Sequence, residues 1–207
     1  MLPTAVFAAA PASVHVGQSF SLSLADARVP GHPEATAFTY SFDCGDGAGA
    51  SAFGAASSTT CPTSAVGTRA VLGTVRDQDG DGQEYSGSVT VVFPFAGFSQ
   101  PVDNAPTPNK AKAGSAIPVR FSLGGDKGSA IFKAEYPKFT YRACDGTAPD
   151  AIEATVAANA SSLSYSAASG QYTYVWKTRA EYAGKCGTLE LGLLDGSSHP
   201  AVFQFTK

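Results

Sequence analysis

Along much of this chain every second residue is apolar, in short runs that each stop at glycine, proline or aspartate. A repeat of two is the period of a strand, whose successive side chains leave opposite faces, and not the 3.6 of a helix. In Ser19 to Ala27 it sets Phe20, Leu22 and Leu24 on one face, and Phe38, Tyr40 and Phe42 repeat it. The runs Arg69 to Asp77 and Glu84 to Phe93 flank Gln78-Asp79-Gly80-Asp81-Gly82, which reads as a β-hairpin. Further on come Val119, Phe121 and Leu123; Phe139 and Tyr141; Tyr172, Tyr174 and Trp176; Leu189, Leu191 and Leu193; and Phe203 with Phe205. Only Ile131 to Tyr136 and Thr178 to Ala183 are compatible with helix, and both are short. Gly45 to Ala65, nearly all Gly, Ala, Ser and Thr, reads as a long loop or weak edge strands. About seven short strands in roughly 100 residues, met in both halves of the chain, is the pattern of a β-sandwich. Proline cannot donate to a central ladder, so the proline-rich Pro94 to Pro108 marks a boundary. The expected fold is all-β, two tandem antiparallel β-sandwiches over residues 1–95 and 96–207.

The four cysteines are Cys44, Cys61, Cys144 and Cys186. Four permit three disulfide connectivities, and sequence does not choose among them. One pair falls in each expected domain, so the two-domain split carries the hypothesis of Cys44 with Cys61 and Cys144 with Cys186. Buried free thiols are the competing reading. Zinc is disfavoured, because no CxxC pair occurs and His15, His32 and His199 lie far apart in the chain. Disulfides belong to an oxidising compartment, so the expected location is extracellular or at the cell surface. A formal net charge of -3 speaks against nucleic acid and against a polybasic membrane anchor. No window approaches the roughly 18 consecutive apolar residues of a span, so no membrane insertion is expected. Met1 to Ala10 has no basic stretch and is too short for the apolar core of a signal peptide. It reads as the start of a fragment or of a chain whose export signal is missing.

Phe42-Asp43-Cys44-Gly45-Asp46-Gly47, followed by Gly67, Val71, Val75, Asp77 and Gly80, resembles two motifs of the PKD domain. That family is an Ig-like sandwich of bacterial and archaeal surface proteins and a spacer in secreted hydrolases. Phe42 stands at its Trp position, Cys44 at its Phe, and Arg69 and Gly73 at its Tyr and Leu. A Cys44–Cys61 bridge would then anchor the core in place of the missing aromatics. In the second half, Phe98 to Asn104, Asn109 to Gly114, Ile117 to Gly125, Gly170 to Thr178 and Phe203 to Lys207 are similar to the PxKF domain. That domain ends predicted secreted bacterial proteins, and Arg120 replaces its naming lysine. The resemblances imply two Ig-like sandwiches in an extracellular setting, and little about chemistry.

Asp77-Gln78-Asp79-Gly80-Asp81-Gly82 has the form in which alternate carboxylates, here Asp77, Asp79 and Asp81, converge on calcium. An EF-hand loop needs a bidentate acid at its twelfth position, which is Ser88, and helices around it. Glu84 serves as a late ligand only in another geometry, so a solvated hairpin turn is the competing reading. Asp43 and Asp46 are better suited to bonding their own turn. No HExxH, G-x-S-x-G, P-loop or cysteine beside a histidine occurs, so no catalytic residue is named and no enzyme is expected. Tyr165, Tyr172, Tyr174 and Tyr182 with Trp176 offer a sugar platform, although Tyr172, Tyr174 and Trp176 share one strand face and suit a core better. Lys110 or Lys112 is a candidate for an isopeptide bond to an asparagine, and Asn159-Ala160-Ser161 is a glycosylation sequon.

Ala5-Val6-Phe7 is a β-capable run cut off by Pro11 from Ser13-Val14-His15-Val16. Such a strand is either donated to a neighbour's sheet edge, with Val6 or Phe7 filling a pocket there, or the first strand of its own sandwich. The expected function is a non-enzymatic structural or adhesive module of a cell-surface or secreted assembly. It would act by spacing, by protein contacts or by self-association. A calcium-assisted carbohydrate-binding module is the alternative, and no other cofactor is called for.

Overall fold

A computed structural model of the chain describes residues 1–32, 37–144, 146, 149–152, 155–156 and 158–207. They divide into two compact units, Met1–Phe93 and Pro94–Lys207, with no α-helix among the described residues.

The first unit holds β1 Thr4–Ala10, β2 Ser13–His15, β3 Ser19–Arg28, β4 Thr39–Asp43, β5 Ser58–Pro62, β6 Gly67–Arg76 and β7 Gly82–Val92. One sheet has the order β1-β3-β5 and the other β2-β7-β6-β4, which is a seven-stranded Ig-like sandwich. The period-2 runs supply its core: Phe20, Leu22 and Leu24 of β3 cluster with Phe42, Val71, Val75, Val89 and Val91 of the other sheet. Each such side chain contributes about 1.5–3 kcal/mol by leaving water. β6 and β7 form the hairpin, in register from Gly67↔Val91 to Arg76↔Gly82. The small-residue stretch yields one edge strand, β5, whose Cys61 is fully buried opposite Phe20. Cys61 is bonded to Cys44, just after β4, so this bridge joins the two sheets across the core. Closing its 17-residue loop contributes about 3 kcal/mol.

The second unit holds β8 Phe98–Ser99, β9 Pro108–Lys112, β10 Ala116–Phe121, β11 Lys138–Arg142, β12 Asp150–Ala151, β13 Ser162–Ser166, β14 Gln171–Lys177, β15 Cys186–Gly192 and β16 Ser198–Thr206. Its sheets have the orders β13-β14-β10-β8 and β11-β15-β16-β9-β12. Ile117, Val119 and Phe121 of β10 and Tyr172 and Trp176 of β14 are buried, as are Leu189 and Leu191 of β15 and Phe203 and Phe205 of β16. Cys144 is bonded to Cys186, which opens β15 opposite Arg142 of β11. This bridge therefore pins an edge strand within one sheet. Its 42-residue loop is worth about 4 kcal/mol.

Four features depart from the sequence pattern. Chain division falls after Phe93 and not after residue 95, because Phe95 stacks on His199 at 3.7 Å and packs against Phe98, both in the second unit. Proline-rich residues 94–108 still admit a strand start, with Pro108 as the first residue of β9, where a missing N–H is tolerated. Parallel pairs β2/β7, β9/β16 and β9/β12 accompany the antiparallel ladders, since alternation has the same period in both. Of the two helix-compatible stretches, Ala180–Tyr182 is a 3-10 turn, while Phe132 makes an isolated bridge to Leu193.

Candidate functional site

The acidic loop closes on itself. Asp77 is buried, and its carboxylate accepts from the backbone N–H of Asp79 at 3.1 Å and of Asp81 at 3.0 Å. Gly80, at φ +89°, completes the turn between β6 and β7. Asp79 and Asp81 are exposed, and no group of three His, Cys, Asp or Glu able to hold a metal ion forms among the described residues. Asp43 and Asp46 likewise accept from Gly45 and Ala48 in their own turn. Lys110 and Lys112 are exposed, while the buried Asn109 amide is committed to the backbone of Asp103 and Val202. Asn159 of the sequon is exposed.

Val6 and Phe7 lie in the first strand of their own sandwich, where β1 pairs with β3 through Phe7↔Leu24 and Ala10↔Ser21. The Phe7 ring fills a gap left by two glycines of the facing sheet. A Cβ on Gly73 would stand 2.7 Å from Phe7 Cε2, and one on Gly87 3.2 Å from Cε1. Tyr85 hydroxyl, accepting from the Ala5 N–H at 2.8 Å, fixes the strand there. Val6 faces outward, 58% exposed, with Ala8 and Ala10 on the same side.

Sequence motifs do not show that Asp195, Ser197 and His199 meet at the β15–β16 turn. Ser197 Oγ donates to Asp195 Oδ1 at 2.6 Å and lies 2.9 Å from His199 Nε2. A hydroxyl has one proton, and Asp195 takes it. His199 Nε2 must then be the donor toward Oγ, the reverse of a general base that removes the serine proton with a carboxylate behind its ring. Burial against Phe95 holds the His199 imidazole below its usual pKa.

The expected tyrosine platform is divided between core and surface. Tyr172 is buried and its hydroxyl, held by Asp126 and Gly128, has its pKa raised by desolvation. Trp176 and Tyr182 are buried too, in a ring cluster with Phe139 at centroid distances of 5.3 and 4.5 Å. Beside β11, the end strand of its sheet, however, that cluster opens into a cleft of about 410 Å³. Phe139, Tyr141, Tyr174, Trp176 and Tyr182 supply its rings. Glu135, Lys138, Lys177, Arg179 and Glu181 supply its charges. Glycines make this possible. A Cβ on Gly187 of β15 would overlap the Phe139 ring, and one on Gly192 would stand 2.7 Å from Tyr136, so the 136–141 segment lies close on the sheet. Burial raises the Tyr174 and Tyr182 hydroxyl pKa values, keeping both neutral donors.

No family model matches the chain, and no curated protein matches it. Among solved structures, the chain is similar to the PKD1 domain of Vibrio anguillarum Epp, at 19% identity over 45% of this chain and 98% of that one, TM-score 0.35. It is also similar to Clostridium thermocellum CbhA fibronectin(III)-like modules, at 16% identity over 99% and 93%, TM-score 0.34. A third is murine CEACAM1b, at 13% identity over 98% of both, TM-score 0.37.

Proposed function

We propose that the chain is a non-enzymatic extracellular module of a cell-surface or secreted assembly, working by spacing and by contacts with protein partners. One observation carries this reading: the acidic loop and the one Asp–Ser–His cluster among the described residues are bound into structural roles. Asp77 holds its own turn, and the Asp195–Ser197–His199 cluster has its proton order reversed for nucleophilic attack. All cysteines are in bridges, one per unit, which supports an oxidising compartment. The ring-lined cleft beside β11 favours a second reading, carbohydrate binding.

Turnover of ester, peptide and glycoside substrates by the purified chain is expected to stay at background and to be unchanged in Ser197→Ala. A rate that disappears in that variant overturns the non-catalytic reading. On intact cells producing the protein, an antibody to the chain is expected to bind without permeabilisation. Binding only after lysis overturns the location.

A further inference from the structure

We propose that the cleft beside β11 binds a neutral oligosaccharide, a reading that leans on the non-catalytic one only in that the sugar is held and not cleaved. Its volume of about 410 Å³ is that of a small-molecule site. The floor is preorganised: Trp176 and Tyr182 are locked against Phe139 and Phe205, so little side-chain freedom is lost on binding. Tyr141, 48% exposed, stands edge-on to Tyr182 at 5.8 Å and offers a ring to the apolar C–H face of a sugar. Lys185 Nζ stands over the Tyr141 ring, 4.6 Å from its centroid.

Charge decides the class of occupant. A sugar hydroxyl both donates and accepts, and the wall offers donors on Lys138 and Arg179 and acceptors on Glu135 and Glu181. Arg179 and Glu181 hold each other at 3.2 Å. Lys138, Lys177 and Arg179 stand against Glu135 and Glu181, so the wall carries no strong charge of either sign. A peptide strand added to β11 would meet Pro137, which has no N–H, at the strand's entry.

Glu135 adds an independent mark. Its φ of +68° lies in the left-handed region, where a glutamate is strained and a glycine is not. At the other such positions among the described residues the chain has glycine, Asp26 excepted. Strain of this kind clusters at functional sites, and Glu135 is among the residues lining the cleft.

Trp176 is the only tryptophan of the chain and sits in the cleft wall, so its emission reports occupancy. Purified protein is titrated with cellohexaose, xylohexaose, N-acetylchitohexaose and, as the anionic comparison, hexagalacturonate. A saturable emission change is expected with at least one neutral hexasaccharide at millimolar concentration or below. Tyr141→Ala is expected to weaken it about tenfold, as loss of one ring contact would. Glu135→Gly relieves the backbone, so its melting temperature should hold or rise while binding still falls. No saturable change with any neutral sugar, stronger binding of hexagalacturonate, or unaltered affinity in Glu135→Gly would each overturn the site. Chromatography of the bound sugar separates the two readings: cleavage products end the non-catalytic one and leave the site, whereas absent binding ends the site alone.

Discussion

Phe7 shows how closely single residues are matched here. Its ring occupies the space that Gly73 and Gly87 leave by lacking a Cβ. Gly73→Ala is therefore an overpacking change and should cost about 1–3 kcal/mol, read as a lower denaturation midpoint. Phe7→Leu shortens the side chain, so the double variant should recover part of that loss. Additive losses would mean that the two positions do not share one space. His199 makes a prediction of a different kind. Burial lowers its pKa from the ordinary 6.5, with Asp195 opposing, so the unfolded chain takes up this proton first as the solution is acidified. The stability tied to neutral His199 is present above about pH 6.5 and is lost as pH falls from there toward the folded-state value. Chemical denaturation of the parent should weaken over that window more steeply than that of His199→Gln. Parallel curves would show that His199 is not the titrating group.

Among elements, the two disulfides hold different things. Replacing Cys44 and Cys61 by alanine unfastens one sheet from the other and should lower stability by about 3 kcal/mol, seen as destabilisation of the whole first unit. Replacing Cys144 and Cys186 frees β11 first, so hydrogen exchange at Lys138–Arg142 should quicken before that of β16. The β6–β7 turn is held by the Asp77 carboxylate itself. Asp77→Ala should thus cost about 1–3 kcal/mol, while calcium or a chelator should leave the parent's melting temperature in place. A calcium-induced rise would show that the loop rearranges to gather its acids. These elements differ in how far the sequence announces them. β3, β6 and β7 are readable because one buried face forces alternation, and β10, β14, β15 and β16 because their large apolar residues alternate even where smaller residues between them are buried too. β8 and β12 have two residues each, too few to carry a period. β13 alternates Leu163 and Tyr165 with serines, but its apolar face is only half-buried and carries just these two residues. The cleft beside β11 escapes sequence reading for a related reason. Its rings come from β11, β14 and the Ala180–Tyr182 turn, and only sheet packing brings them together.

At the scale of the whole chain, each unit has its own pair of sheets, its own core and its own bridge. Fragments 1–93 and 94–207 are therefore expected to melt cooperatively when made separately, and a fragment without a transition would end that independence. Proline-rich composition points to this division, but the cut falls at the edge of that segment because Phe95 packs into the second unit, against Phe121. In both units an early strand runs parallel to the last one: β2 beside β7 from Ser13↔Thr90 to His15↔Val92, and β9 beside β16 from Val202↔Pro108 to Thr206↔Lys112. Tension that enters at the start of one such strand and leaves at the end of the other drags the pair lengthwise. The ladder bonds are then sheared together and not peeled one at a time. Residues between Cys144 and Cys186 sit in a covalent loop that bears no load while the bridge is intact. Once the second unit has been pulled open, the intact bridge still withholds on the order of 140 Å of extended chain, about 3.3 Å for each position of its 42-residue separation, and reduction lets that length out.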